Sequence, residues 1–220
     1  MYEYELINNH YIITIEGKKY LLDTGSPVSF GIKEENNHLT IDGNDYCLRN
    51  KPANLSVGET EVLVGTSIDG FIGMDIISKT GLTIYKNGQV KFGVDEVEGG
   101  VVVPMNTTWP LMVNIGSNMM NGKLVIDTGA KYGYGVSGLF HNQHAYNHVK
   151  DYNPSLGYLE SDIYRLPVVV GGQSKTIDVC DNRIVGGTLH QMGAIMIASI
   201  SSLYDEVCVL DTHKGKLILK

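Results

Sequence analysis

The stretch that decides the fold is YLLDTGSPVSFG, Tyr20 to Gly31, because a version of it occurs again as LVIDTGAKYGYG, Leu124 to Gly135. Each copy places an Asp-Thr-Gly directly after a pair of branched apolar residues and ends in an aromatic residue followed by glycine. With average residue usage, a tripeptide of this kind occurs by chance in roughly one chain of this length in twenty. Two copies in the same context therefore indicate a duplicated unit.

Strand signals surround both copies and follow the same order in each half of the chain. Short apolar runs with β-strand character alternate with glycine-containing turns, which predicts a mostly β protein. The turns of the first half are predicted at Glu16-Gly17, Asp42-Gly43, Gly58-Glu59 and Asn87-Gly88. We assign a first half, 1–97, and a second half, 98–220, joined by a linker over 94–104. Helices are expected to be few and short, at 75–80, within 137–152 and at 199–205.

The composition excludes several classes of function. The chain has 220 residues, 43% of them hydrophobic, which suffices for one large or two small globular domains. A net charge of −7 with only three arginines argues against nucleic acid as the main partner. There is no run of about 18 apolar residues, so we expect no membrane span.

The cysteines and the N-terminal residues bear on localisation and metal binding. Cys47, Cys180 and Cys208 lack metal-ligand spacing, and an odd number of thiols favours a reducing, cytoplasmic setting. The N-terminus has no basic or apolar signal-peptide region, although removal of a signal peptide from a secreted or periplasmic protein would leave the same sequence. His141, His144 and His148 have helical spacing, but no acidic residue completes a zincin pattern, so no metal site is expected.

The two aspartates, Asp23 and Asp127, are the candidate catalytic residues. An ionised carboxylate at the end of an apolar strand is costly to bury alone. If two equivalent units pack about a pseudo-twofold axis, their equivalent loops meet at that axis and the carboxyl groups lie side by side. Such a pair shares one proton and separates its two pKa values. It can then supply a base and an acid together, which explains why the motif occurs twice.

These paired loops, with the downstream GFIGMDII beginning at Gly70, resemble the pepsin-like and retropepsin-like aspartic peptidases. The resemblance implies a bilobal, pepsin-like acid protease fold with a cleft between two β lobes. It further implies hydrolysis of a peptide bond by a water held between Asp23 and Asp127, without a cofactor. Peptide or protein would be the substrate, and a monomer would suffice for activity because both halves lie on one chain.

The resemblance also assigns roles to the residues that follow each aspartate. Thr24 and Thr128 would exchange hydrogen bonds beneath the aspartates, and Gly25 and Gly129 would line the floor of the cleft. Ser26 follows the first Asp-Thr-Gly, and Ala130 occupies the equivalent position in the second half. We expect the Ser26 hydroxyl to bond Asp23, so that Asp127 more often carries the proton.

Two further features depart from the family pattern. An apolar-apolar-Gly strand should pass behind each loop. Phe71-Ile72-Gly73 fits this pattern, whereas Ala198 is predicted to take the glycine position in the second half. The flap that covers the substrate is predicted in the hairpin 38–50. The flap residues are expected to be Ile41, Asp42, Gly43, Asn44 and Tyr46.

Three other interpretations remain open from the sequence. A degenerate relative could keep the loops and act as a catalytically inactive peptide-binding or interaction module. The two motifs could also be plain β-turns in a duplicated barrel. A small-molecule β-barrel binder is the third alternative, and it predicts no affinity for a transition-state mimic of peptide hydrolysis.

Overall fold

The computed structural model describes residues 1–32, 37–117, 121–153 and 156–220 and is built mostly of strands, as predicted. The strands, in chain order, are β1 Tyr2–Ile7, β2 His10–Ile15, β3 Lys18–Leu22, β4 Phe30–Gly31, β5 His38–Ile41, β6 Asn44–Cys47, β7 Arg49–Asn50, β8 Gly70–Ile72, β9 Leu82–Tyr85, β10 Gln89–Lys91, β11 Val101–Pro104, β12 Met112–Ser117, β13 Asn121–Ile126, β14 Gly133–Gly135, β15 Asn147–Asn153, β16 Gly157–Val170, β17 Gln173–Asp181, β18 Met196–Ala198, β19 Val207–Asp211 and β20 Lys216–Leu219. The helices are α1 Val57–Val64, α2 Met74–Thr80 and α3 Arg183–Gln191, with 3-10 turns at Ser137–Phe140 and Ile200–Ser202. Across the described residues no helix has the length and apolar character needed to cross a bilayer.

The two halves are joined through one sheet. Six of its strands run in the order β11-β20-β19-β9-β10-β1, so each half contributes three strands. The central pair, β9 and β19, is antiparallel, with Leu82 opposite Leu210 and Tyr85 opposite Val207. A pseudo-twofold axis therefore passes between β9 and β19. Part of the predicted linker, β11, is a strand of this sheet because its apolar residues pair with β20.

Equivalent strands carry the two Asp-Thr-Gly loops. β3 pairs in parallel with β8, with Leu22 opposite Ile72, and β13 pairs in parallel with β18, with Ile126 opposite Ala198. This register places Ala198 at the position of Ile72, so the counterpart of Gly73 is Ser199. The expectation that Ala198 replaces the glycine was wrong by one residue.

Two helices occur where turns and strands were predicted. Helix α1 replaces the turn predicted at Gly58-Glu59, because the side chain of Ser56 caps it by accepting from the Glu59 N–H. Helix α3 begins in the same way, since the Asn182 side chain accepts from the N–H groups of Ile184 and Val185. Each helix directly precedes the strand behind its loop, so the two are equivalent by position. The predicted helix at 75–80 is confirmed as α2.

Among the described residues, the second half contains one strand that has no counterpart in the first half. β16 and β17 form a long hairpin whose turn at Gly171-Gly172 corresponds to the β5–β6 turn at Asp42-Gly43. β15 pairs along β16 and lies between β14 and β16 in sequence, where the first half has no described strand. The helix expected within 137–152 is limited to a 3-10 turn, because the chain then enters β15. The three histidines therefore do not share a helix.

Two small apolar clusters flank a core that both halves share. Behind the first loop, Phe30 and Phe71 stack with ring centroids 4.4 Å apart. Behind the second loop, the corresponding cluster contains Tyr134 and the free thiol of Cys180. These clusters fix the positions of the strand ends from which the loops project.

Candidate active site

The two Asp-Thr-Gly loops are locked together by their threonines. The Thr24 N–H donates to the Thr128 hydroxyl, and the Thr128 N–H donates to the Thr24 hydroxyl, both at 3.0 Å. Each hydroxyl in turn donates across to the opposite half: Thr24 to the Ile126 carbonyl at 2.9 Å and Thr128 to the Leu22 carbonyl at 2.7 Å. Both threonines are fully buried. Four reciprocal hydrogen bonds thus hold the loops in register, as the resemblance implies.

The carboxyl groups of Asp23 and Asp127 meet directly above this lock. Asp23 donates a hydrogen bond to Asp127, and both side chains are partly exposed. The Ser26 N–H donates to Asp23 Oδ1 at 3.1 Å, and the Gly129 N–H donates to Asp127 Oδ1 at 2.8 Å. A Cβ on Gly25 would lie 2.4 Å from Asp127 Oδ2. Glycine is therefore required at the floor by close approach.

The pKa values of the two carboxyl groups are shifted by different interactions. Burial raises the pKa of Asp23 well above its ordinary value, and the charge of Asp127 raises it further. Burial also raises the pKa of Asp127, but the Gly129 N–H and the hydrogen bond from Asp23 stabilise its ionised form. Both pKa values are raised, that of Asp23 further, so the pair shares one proton. These directions do not support the expected preference for a protonated Asp127.

The Ser26 side chain does not take the role on which the expected asymmetry rested. Its hydroxyl donates to the Val28 carbonyl at 2.7 Å, which leaves only its backbone N–H for Asp23. The expected hydroxyl bond to Asp23 is therefore not formed. Because Ala130 in the second half has no hydroxyl, neither side chain at this position favours an ionised aspartate.

A cavity of about 410 Å³ opens over the two carboxyls, with a different wall in each half. The term first wall is used for six apolar residues of the first half that line the cavity: Leu21, Phe30, Leu55, Leu63, Val64 and Phe71. The term second wall is used for eight lining residues of the second half: Lys131, Tyr132, Tyr134, Asp151, Tyr152, Asn153, Val185 and Ile197. Helix α1 and strand β15 approach each other across the cavity, where the Tyr152 hydroxyl contacts Glu59 and the Ser56 N–H.

The predicted flap hairpin lies elsewhere. Its turn is present, but the Asp42 N–H and carboxylate bond the hydroxyl of Tyr2 on β1. Leu39 and Ile41 are buried in the shared core, and Tyr46 lies under the ammonium of Lys79. None of Ile41, Asp42, Gly43, Asn44 and Tyr46 lines the cavity. The hairpin corresponds to the β16–β17 hairpin of the second half, whose turn residues Gly171 and Gly172 do not line the cavity either.

Two residues missed by sequence reasoning connect each half to the opposite loop. The Trp109 indole N–H donates to the Gly25 carbonyl at 3.1 Å. In the first half, Asn9 occupies the equivalent position and its amide donates to the Lys131 carbonyl at 3.0 Å. His10 beside it is fully buried against Gly129, and burial lowers its pKa to about 4. No motif marks these residues, because they meet the loops only through the pseudo-twofold packing.

The described part of the chain contains no set of side chains suited to bind a metal ion. Within it, no group of three or more histidine, cysteine, aspartate or glutamate side chains could hold a metal ion. The two aspartates hydrogen-bond to each other and to backbone N–H groups instead.

Comparisons with known proteins find similarity only at the level of structure. No protein-family model matches the chain, and no curated protein matches it. One matching solved structure is the foamy viral protease-reverse transcriptase in complex with an RNA/DNA hybrid, with a TM-score of 0.34, 13% identity, 43% of this chain covered and 12% of that chain. Another is the simian foamy virus (mac) protease in solution, with a TM-score of 0.33, 13% identity, 42% of this chain covered and 90% of that chain. The chain is thus similar to retroviral proteases over less than half of its length, a likeness too distant to carry information on function.

Proposed function

We propose that the protein is an aspartic endopeptidase in which Asp23 and Asp127 activate a water molecule. The observation that carries the proposal is the hydrogen-bonded contact between these two carboxyls, one from each half, at the floor of a cavity. A buried acid pair that shares one proton is the arrangement required for combined acid and base catalysis. Turn formation alone does not require two carboxyls to approach each other.

The mechanism follows from the unequal ionisation of the pair. The Asp127 carboxylate accepts a proton from the bound water as the oxygen attacks the peptide carbonyl carbon. Asp23 donates its proton to the carbonyl oxygen, which gives a neutral tetrahedral diol. Collapse of the diol breaks the C–N bond as the nitrogen takes a proton from Asp127 and Asp23 regains its own from a hydroxyl. The pair returns to its initial state without a covalent intermediate.

The pH dependence follows from the same proton count. The pair is active while it holds one proton, so activity falls at low pH when Asp127 is protonated and at high pH when Asp23 is ionised. Because burial raises both pKa values, we expect the active range to lie above the ordinary pKa of an aspartate. A cytoplasmic location and activity as a monomer belong to this proposal.

The test is cleavage of a mixed peptide library from acidic to neutral pH. We expect cleavage by the wild type and a loss of about 10³-fold or more for Asp23→Asn and for Asp127→Asn. Asp162→Asn, which removes an exposed carboxylate far from the cavity, is the matched control and should cleave normally. Unchanged cleavage by either dyad variant would exclude the pair as the catalyst. Peptide binding without cleavage by the wild type would favour the inactive binding module.

A further inference from the structure

The two walls of the cavity differ at one pair of equivalent positions. Phe30 pairs with Phe71 on β8, and Tyr134 pairs with Ile197 on β18, so the register makes Phe30 and Tyr134 counterparts. Both rings line the cavity beside the aspartates. The second half therefore adds a hydroxyl at the position where the first half has only a ring edge.

The first wall consists of apolar side chains. Leu21, Phe30, Leu55, Val64 and Phe71 belong to one buried cluster, in which the rings of Phe30 and Phe71 stack. Three polar residues of the first half line the cavity beside it: His10 is fully buried, and the hydroxyls of Ser26 and Thr60 already donate to the Val28 and Ser56 carbonyls, each at 2.7 Å. Such a surface selects a large apolar side chain, because burial of apolar area is the main favourable term available.

The second wall contains a buried carboxylate for which the described residues of the first half offer no equivalent. This residue, Asp151, comes from β15 and is only 9% exposed. It accepts hydrogen bonds from the Tyr134 hydroxyl at 2.8 Å and from the Tyr152 N–H at 2.9 Å. Two carboxylate oxygens accept up to about four hydrogen bonds, so acceptor capacity remains on the cavity side.

Asp151 also lacks a close cation among the described residues. No lysine or arginine nitrogen of that set lies within 4.0 Å of its carboxyl. Lys131 is the nearest contributor of charge, and its ammonium lies over the Tyr132 ring, 5.1 Å from the centroid. A buried carboxylate without a partner cation is costly, and a donor from a ligand would offset part of that cost.

We infer that the cleft selects peptides whose side chains differ on the two sides of the cleaved bond. A large apolar side chain binds against the first wall, and a hydrogen-bond-donating one, such as lysine or glutamine, binds against Asp151 and Tyr134. This substrate class rests on the proposed peptidase function, since it assigns both walls to one bound peptide. Asp151 and Tyr134 are then the specificity-determining residues, and the extra strand β15 supplies the difference between the halves.

The experiment measures binding rather than turnover, so that the two proposals fail separately. Statine-type peptides carrying norleucine, lysine, glutamine or glutamate at each of the two flanking positions are titrated calorimetrically into the wild-type chain. At one position we expect lysine and glutamine to bind about tenfold more tightly than norleucine, with glutamate weakest. At the other position norleucine should bind most tightly.

Two variants assign the preference to the second wall. Tyr134→Phe with Asp151→Leu reproduces the chemistry of the first wall and should abolish the preference for lysine and glutamine. If the double variant fails to fold, Asp151→Asn provides the test. It keeps the shape of the side chain and an acceptor for the Tyr152 N–H, and it should reduce the preference for lysine. Asp162→Asn, which removes an exposed carboxylate that does not line the cavity, is the control and should leave the preferences unchanged.

Equal or tighter binding of norleucine at both positions overturns the inference, as does the absence of binding by every peptide. If the wild type cleaves apolar peptides without this discrimination, the peptidase function stands and the substrate class fails. If discrimination is present but no peptide is cleaved, the selectivity of the cleft stands and the peptidase function fails.

Discussion

The first and second halves agree closely at the floor of the cleft and differ in its walls. At the floor, Thr24 and Thr128 exchange equivalent hydrogen bonds of the same length. In the walls, Phe30 of the first half is replaced by Tyr134 in the second, and β15 contributes Asp151, which has no equivalent among the described residues of the first half. The loops must be alike because each completes the other, whereas each wall contacts a different part of a bound molecule. Duplication therefore preserves the shared floor and leaves the walls free to diverge.

The largest expected effect concerns the floor of the cleft, where the two halves are alike. Thr24→Val removes two buried hydrogen bonds and leaves the Thr128 N–H and the Ile126 carbonyl without partners, which should lower the free energy of unfolding by about 2–4 kcal/mol. Thr128→Val should have the same effect, because it breaks the mirror-image pair. Urea unfolding of both variants provides the measurement. A difference of more than about 1 kcal/mol between them would show that the floor is not symmetric in energy.

The next effect concerns a pair of neighbouring positions at which the two halves carry glycine and serine in swapped order. Gly73 has no room for a side chain, since a Cβ would lie 2.6 Å from the Val28 carbonyl oxygen, and its N–H donates to the Ser29 hydroxyl at 2.8 Å. In the second half the serine is at Ser199 and the glycine is at Gly133, where a Cβ would lie 2.9 Å from the Asp178 carbonyl oxygen.

Gly73→Ala should therefore destabilise the fold by about 1–3 kcal/mol through overpacking. Ser199→Gly should cost less than about 1 kcal/mol, because it removes only the long 3.5 Å hydrogen bond from the Ser201 N–H to the Ser199 hydroxyl and adds backbone freedom. Thermal and urea unfolding of the two variants provide the measurement. Equal losses would contradict the register that makes Gly73 and Ser199 counterparts.

The smallest expected effect concerns Ser26. Because its hydroxyl bonds Val28, Ser26→Ala should leave the pH–rate profile unchanged and cost about 1 kcal/mol of stability. Ala130→Ser is the matched control in the second half and should also leave the profile in place. A shift of the alkaline limb in Ser26→Ala would restore the hydroxyl as a partner of Asp23.

The sequence predicted the features that depend on local pattern and on duplication. The strands around both Asp-Thr-Gly loops, helix α2 and the exchange between Thr24 and Thr128 follow from apolar periodicity and from two copies of one motif. Helices α1 and α3 were missed because Gly58 suggested a turn and the segment from Arg183 to Gly187 suggested a strand end, while the caps at Ser56 and Asn182 were overlooked.

The remaining features depend on three-dimensional packing that no local pattern encodes. The hairpin at Asp42-Gly43 has the composition of a flap, yet its apolar residues are buried in the shared core and its turn bonds Tyr2. Trp109 reaches Gly25 only because the halves pack about the axis. The hydrogen bond expected from the Ser26 hydroxyl to Asp23 is absent because that hydroxyl donates to the Val28 carbonyl.

The central claim is that Asp23 and Asp127 form one coupled acid pair, and carboxyl carbon NMR across a pH titration tests it most directly. Asp23→Asn and Asp127→Asn provide the assignments. The pair should titrate in two steps, both above the ordinary aspartate pKa of 3.8, with Asp23 losing its proton last. Loss of the neighbouring charge in Asp127→Asn should lower the pKa of Asp23. Two independent titrations near 3.8, unaffected by substitution of the partner, would contradict the account.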